Sequence, residues 1–263
     1  MRASVYAGFL LAVVLFCCPV HARVLYGEVG HSDSVAPVEK NLLPGDVFNH
    51  DKLPAKGDTK LNDWYRIPGW LAGLWHKETQ TDYYRYSYAT NETDNTQHER
   101  IARSDGRWGT QKDSQGNIWQ YEPVPYEEMI DAGDETVVQI VRSCEPIQVS
   151  DKVFGKRSID TQLRVDKATG KIKSVETGEE ITYLTPESTV LLKRETSAKV
   201  FDKDGKAILL GKSFSYENRL SDFEPQNSYH GKDMRVLFNE FLKAVSAHRM
   251  IGTNVCFLRP LGK

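Results

Sequence analysis

Read as a string of apolar and polar positions, the chain changes character twice. Residues 23 to 63 show no sustained period. Pro37, Pro44 and Pro54, several glycines and few aromatics there predict an extended arm or coil over a domain. From about Trp64 the aromatic density rises. Residues 73 to 90 hold Trp75, Thr79, Thr81, Tyr83, Tyr84, Tyr86, Tyr88 and Thr90, which suit a pleated surface and predict a long first strand. Further β-type segments follow at about 97–111, 118–123, 135–149, 158–165, 171–184, 189–201 and 206–219.

The segments are separated by turn chemistry: Asp113-Ser114-Gln115-Gly116-Asn117, Asp166 to Gly170, and Asp202-Lys203-Asp204-Gly205. Each offers an Asp to start the turn and a Gly for the positive φ that follows. Pro146 interrupts its segment and predicts an edge or a bulge. About eight or nine strands in hairpin sequence, with no helical pattern between them, exclude a βαβ parallel sheet and predict an up-and-down antiparallel meander.

The second change comes near residue 232. Met234, Leu237, Phe238, Phe241, Leu242 and Val245 recur at helical spacing, predicting an amphipathic helix over about 232–249 that packs against the body and stops at Gly252.

Composition then narrows the setting. Arg2, an apolar run from Ala7 to Cys18 and the small-x-small end Val20-His21-Ala22 read as a signal peptide over residues 1–22, so the mature protein is expected to be exported, periplasmic or secreted. Lipid anchoring at Cys17 or Cys18 is the competing reading. The run is too short to span a membrane, and no later stretch offers a transmembrane segment. Of 34 basic and 36 acidic side chains the leader removes only Arg2, leaving 33 against 36. That balance gives no electrostatic case for nucleic acid or a membrane surface. The two cysteines left, Cys144 and Cys256, are read as a disulfide in an oxidising compartment or as two isolated thiols.

Gly73-x-Trp75 at the start of the first strand, a meander of about eight strands, then one helix and a tail make the chain resemble the calycin superfamily, the lipocalins above all, over residues 64 to 256. The resemblance implies a closed β-barrel with a C-terminal helix and a short tail at 257–263. It gives Gly73 the tight entry into the first strand and Trp75 the closed end. It also implies that Arg219, on the last strand, lies across Trp75, and that a Cys144–Cys256 disulfide ties the segment after the helix to a strand. The family's T-D-Y loop motif is not found between residues 120 and 200, and Thr81-Asp82-Tyr83 spells it only within the first strand.

In a barrel one face of the first strand sees the cavity, so either Tyr84, Tyr86 and Tyr88 or Tyr83 with Arg85 line it. With Trp108 and Trp119, which read as a cross-strand pair or a pocket wall, the tyrosines make the candidate ligand-binding set for a small hydrophobic or amphipathic ligand. The alternative is a non-enzymatic structural or interaction protein of the cell envelope, its barrel filled and residues 23–63 engaging an envelope partner.

No G-x-S-x-G elbow, phosphate-cradling loop or nucleophilic cysteine context is present, and no cofactor is expected. The histidines lack metal spacing, His98-Glu99 included, and Asp202 to Gly205 reads as a turn rather than a calcium loop. Glu127-Glu128 and Glu179-Glu180 read as solvated edges whose members point to opposite faces. Asn91-Glu92-Thr93 is a potential glycosylation acceptor.

Overall fold

The computed structural model describes residues 30–39, 42–52, 63–229 and 231–251, with side chains to 246. Residues 1–22, read above as a signal peptide, with Cys17 and Cys18 among them, Cys256, and the tail 257–263 lie outside the described residues. The chain divides at Gly30, and the second unit, from His31 onward, is the one described.

Its strands are β1 (Trp64–Ile67), β2 (Gly73–Ser87), β3 (Glu92–Asp94), β4 (His98–Trp108), β5 (Gln111–Lys112), β6 (Ile118–Tyr121), β7 (Tyr126–Ala132), β8 (Glu135–Val149), β9 (Phe154–Asp166), β10 (Ile172–Pro186), β11 (Leu191–Phe201), β12 (Ala207–Asp222), β13 (Ser228–Tyr229) and β14 (Lys232–Asp233), followed by the helix α1 (Met234–Ile251). The fold is mainly β and antiparallel with one C-terminal helix, the class that the pattern predicts. No helix among the described residues is long and apolar enough to cross a membrane.

The main sheet runs β7-β8-β9-β10-β11-β12-β2, with β3 and β4 both on the far edge of β2. The last long strand therefore pairs with the first, as in an up-and-down ring. The closed ring is not completed by hydrogen bonds, however. Among the described residues β4 pairs only with β2 and β7 only with β8.

Side chains nevertheless show how far the sheet curls. Trp108 on β4 and Phe154 on β9 are five places apart in the sheet, which in a flat sheet is about 24 Å. Their ring centroids are 5.4 Å apart.

Local chemistry explains the hairpins. The Asp113 carboxylate accepts from the backbone N–H groups of Gln115 and Asn117 at 2.9 and 2.8 Å. Asp202 does the same for Asp204 and Lys206 at 3.0 and 2.9 Å, so this segment is a turn. The register of β8 on β9 shifts between Val141 and Ser143 and again between Pro146 and Gln148, where the proline cannot donate to the ladder.

Two further layers cover the sheet. Residues 31–39 and 42–52 lie on its convex face: Val35 and Val38 donate backbone N–H bonds to the β11–β12 turn, and Gly45 and Phe48 to Ile172 and Gly170. Val38 and Leu42 there join Val138, Ile140, Leu163, Val165, Ile172 and Val175 in one apolar cluster.

On the other side β1, β6 and β5 form a small sheet whose two faces differ. Tyr65 and Ile67 turn to the main sheet, while Trp64 and Tyr121 meet α1 through Met234, Phe238, Phe241 and Val245. Asp233 caps the helix, accepting from the N–H groups of Arg235 and Val236 at 2.9 and 3.1 Å.

Candidate functional site

The concave side of the main sheet has an apolar floor. Trp75, Phe154, Leu184 and Leu192 are all 0% exposed there, closed over by Tyr65, Ile67, Leu71 and Trp108. Trp75 donates its indole N–H to the Leu71 carbonyl at 2.8 Å.

Strand register places a polar wall above that floor. Alternation puts Arg194, Thr196 and Ala198 of β11 on the same face as Leu192 and Leu184, opposite Ser215, Ser213 and Gly211 of β12. Lys77 of β2 pairs in register with Glu217 of β12, next to Arg219–Trp75. On β10, Glu180 and Thr182 share the face and face Ser158 and Lys156 of β9. Each of these looks like an ordinary surface residue in the sequence. Only the register brings them together.

Ionisable groups dominate this wall. Arg194 donates from Nε to the Glu217 carboxylate, whose side chain is 5% exposed against 23% for Arg194. Burial works against the Arg194 charge, but Glu217 and then Glu180 raise its pKa above the ordinary arginine value. Lys77 is the opposite case. Desolvation and then the Arg194 charge lower its pKa below that of an ordinary lysine. It has no hydrogen-bond or ion-pair partner among the described residues. The Ser215 hydroxyl is buried with no partner either.

A second cluster flanks the floor, where the connection from β6 to β7 brings Glu122 over β9. Lys156 donates to Glu122 at 3.1 Å, and Tyr65 donates its O–H to the same carboxylate. The ammonium also lies 5.4 Å from the centre of the Trp108 ring. Burial opposes the charge on both partners. Mutual attraction outweighs it, so the Lys156 pKa lies above and the Glu122 pKa below its ordinary value. Cys144 shares this cluster, and burial, with Glu122 adding to it against Lys156, pushes the thiol up to about 12. A thiol so protonated is a poor nucleophile and ligand. Among the described residues no three His, Cys, Asp or Glu are grouped to hold a metal ion.

The residues expected to bind a ligand fall in three places. Trp108 belongs to the concave floor. Trp119 sits instead against Phe241, with ring centroids 5.1 Å apart, and donates its N–H to Asp113 at 3.1 Å. The two indoles are therefore not a cross-strand pair: Trp119 pairs with Gln111.

Tyr84, Tyr86 and Tyr88 lie on the convex face. The Lys212 ammonium is 5.3 Å from the Tyr84 ring, and Lys199, which donates to the Ser32 carbonyl in the arm, is 5.3 Å from the Tyr88 ring. Tyr86 packs on Tyr88 at 4.9 Å. The cause is a bulge: the register between β2 and β12 shifts between Lys212 and Ser213, which leaves Tyr83 unpaired and exchanges the faces beyond it. Arg85, paired with Gly211, is then on the concave side.

Of the two glutamate pairs read as solvated edges, Glu179 and Glu180 do point to opposite faces, but Glu179 is fully buried under the arm. It accepts from His31 Nδ1 at 2.9 Å, from the Ser32 N–H and O–H at 2.8 and 2.9 Å, and from Arg157. Asn91 sits in the exposed turn after β2 and accepts the Tyr86 O–H at 2.8 Å.

Cys144 has no disulfide partner among the described residues, and Cys256 is not one of them. Comparison of the chain with protein-family models, with curated proteins and with solved structures finds no match in any of the three.

Proposed function

We propose that this is an exported, calycin-like binding protein that takes a small amphipathic ligand, without covalent chemistry, on the concave side of its curled sheet. One observation carries the reading. Along β11 the concave side chains pass from 0% exposed at Leu192, on the floor, to partly exposed at Arg194, Thr196 and Ala198. A fully packed interior buries such side chains throughout; here Arg194, Thr196 and Ala198 keep partial exposure, while Ser213, Ser215, Glu217 and Thr182 of the same wall are buried. The floor itself is sealed by Tyr65, Ile67, Leu71 and Trp108, so the ligand lies above it, against the partly exposed concave side chains of β11.

Native mass spectrometry of protein purified from its own host tests the proposal, supported by titration with a neutral solvatochromic dye. A retained small molecule, or saturable dye binding that quenches Trp75 and Trp108, supports it. Ligand-free protein that binds no apolar or amphipathic probe overturns it.

A further inference from the structure

We infer that Ser197, His31 and Glu179 form a nucleophile, base and carboxylate triad on the convex face, and that with Lys212 they hydrolyse a small carboxylic ester. The site lies on the other side of the sheet from the cup and does not depend on the binding reading.

The arm, β10 and β11 supply the three groups. His31 Nδ1 lies 2.9 Å from a Glu179 carboxylate oxygen, and His31 Nε2 lies 2.8 Å from the Ser197 hydroxyl. Chemistry fixes the direction of both bonds. Against burial, Ser32 and Arg157 hold Glu179 ionised and able only to accept, which puts the imidazole proton on Nδ1. Burial keeps the ring neutral at pH 7, so Nε2 carries a lone pair and accepts the Ser197 O–H. A serine held in this way is activated by a general base whose tautomer is set by a buried carboxylate.

Exposure rises outward along the triad. Glu179 is sealed, the His31 side chain is 10% exposed, and Ser197 is partly exposed. The arm is pinned by other bonds as well, from Glu179 and Lys199 to Ser32 and from Val35 and Val38 to the β11–β12 turn.

Lys212 on β12 is the cross-strand partner of Ser197 on the same face, where opposed Cβ atoms stand about 4.5–5.5 Å apart. Its ammonium packs on Tyr84 and has no hydrogen-bond or ion-pair partner among the described residues. Glu195, the preceding convex residue of β11, is engaged by Lys193 at 3.1 Å. Ser197 is paired on both sides, with Ile181 and Lys212, so its N–H belongs to the sheet ladder and a developing oxyanion is left to the Lys212 ammonium.

The step needs only ester and water. Ser197 Oγ bonds to the ester carbonyl carbon as its proton passes to His31 Nε2, and the carbonyl oxygen takes the negative charge beside Lys212. Collapse breaks the bond to the alcohol oxygen, which leaves with the proton from His31. Water then attacks the acyl-serine, giving a proton to Nε2, and the acid departs as that proton returns to Ser197 Oγ. Ser197, His31 and Lys212 are the catalytic residues, and Glu179 is a positioning residue.

The test uses the full mature chain with 4-nitrophenyl butyrate as substrate and a fluorophosphonate whose attachment is mapped by peptide mass spectrometry. Saturable turnover that stops when the fluorophosphonate modifies Ser197 is expected. Ser197→Ala is expected to lower kcat/KM about a hundredfold or more, with amide protection of residues 31–38 unchanged. Lys212→Met is expected to lower kcat about tenfold, less than a buried oxyanion donor would, because Lys212 is exposed. In Glu179→Gln the acid limb of the pH–rate profile is expected to move to lower pH, because burial, Lys199 and Arg157 lower the His31 pKa and Glu179 raises it.

No fluorophosphonate on Ser197, or turnover unchanged in Ser197→Ala, overturns the site and leaves the cup standing. An acid limb that stays in place or moves upward in Glu179→Gln assigns Glu179 to holding the arm alone and overturns the triad.

Discussion

The guanidinium carbon of Arg219 lies 4.1 Å from the centre of the Trp75 ring, and the same guanidinium donates to three backbone carbonyls. Those are Thr189 at 2.9 Å, Ala72 at 2.6 Å and Trp70 at 2.7 Å. One side chain thus joins the end of β12, the turn before β11 and the loop that enters β2. Replacing it by methionine keeps some cover on the indole but loses the cation–π contact, about 0.5–2 kcal/mol, and leaves the carbonyls unpaired. Arg219→Met is expected to lower the unfolding free energy by about 2–4 kcal/mol in a urea titration. A loss below about 1 kcal/mol would show that solvent takes over those carbonyls without cost.

Gly73 completes the same junction. Its φ is +142°, and a Cβ there would stand 2.6 Å from both Arg219 Nη1 and the Ser221 carbonyl oxygen. Neither a backbone oxygen nor a guanidinium held by three bonds can give way cheaply. Gly73→Ala is therefore expected to cost about 2 kcal/mol or more, through strain and displacement of Arg219. Because both substitutions act on one contact, the double variant should be less destabilised than the sum, which the same titrations measure.

The arm carries a pH dependence of defined sign. Burial lowers the His31 pKa below 6.5, and the hydrogen bond and charge of Glu179 oppose this without overcoming it. Glu179 is pulled up by burial and held below 4.5 by Ser32, Arg157 and His31. In both cases the unfolded chain binds the proton first, so stability rises with pH. The His31 contribution is complete above about pH 6.5 and fades as pH falls through its lower folded value. The Glu179 contribution is complete above about pH 4.5 and fades further down. Amide protection factors of residues 31–38, corrected for the intrinsic pH dependence of exchange, should fall on acidification in those two stages, and Glu179→Gln should abolish the lower one. Protection that increases from pH 7 to pH 4 would contradict the assignment.

How much of this was readable without coordinates depends on how local each signal is. The Asp113, Asp166 and Asp202 turns, the strand succession between them and the stripe from Met234 to Val245 are set by neighbours a few residues away. Sequence period therefore suffices for the β class and the helix. The concave wall is different. Lys77, Glu180, Arg194 and Glu217 sit on four strands, and each alone has the alternation of a solvated edge. Their meeting depends on register, and register on bulges such as the one at Tyr83, which also turned Tyr84, Tyr86 and Tyr88 to the convex face. The open seam between β4 and β7 is likewise a property of pairing partners. Glu122 follows a short strand and precedes Pro123, where nothing in its neighbours announces a buried ion pair.

Cys144 should be chemically quiet. Its thiol, pushed up to about 12 by burial in the company of Glu122, is almost wholly protonated at pH 8. Alkylation with iodoacetamide at pH 8 followed by peptide mapping is expected to leave Cys144 unmodified in folded protein. In denaturant it should be labelled as readily as any free thiol. Rapid labelling of the folded protein at Cys144 would mean that the cluster with Lys156 and Glu122 opens on the labelling time scale.

That cluster is also where a single charge change should matter most. With side chains 18% and 14% exposed, Lys156 and Glu122 are mostly shielded from water, and each holds the other ionised. Lys156→Met leaves the Glu122 carboxylate, among the described residues, with the neutral donors Tyr65, Tyr126 at 3.5 Å and the Cys144 thiol. Removing one partner of such a pair costs about 3–5 kcal/mol, because a buried charge is left uncompensated. Exchanging both, as in Lys156→Met with Glu122→Gln, removes the stranded charge and should recover part of that loss. The expected order of urea midpoints is parent, then double variant, then Lys156→Met. If the double variant proves the least stable, the pair contributes through packing on Trp108 rather than through its charges.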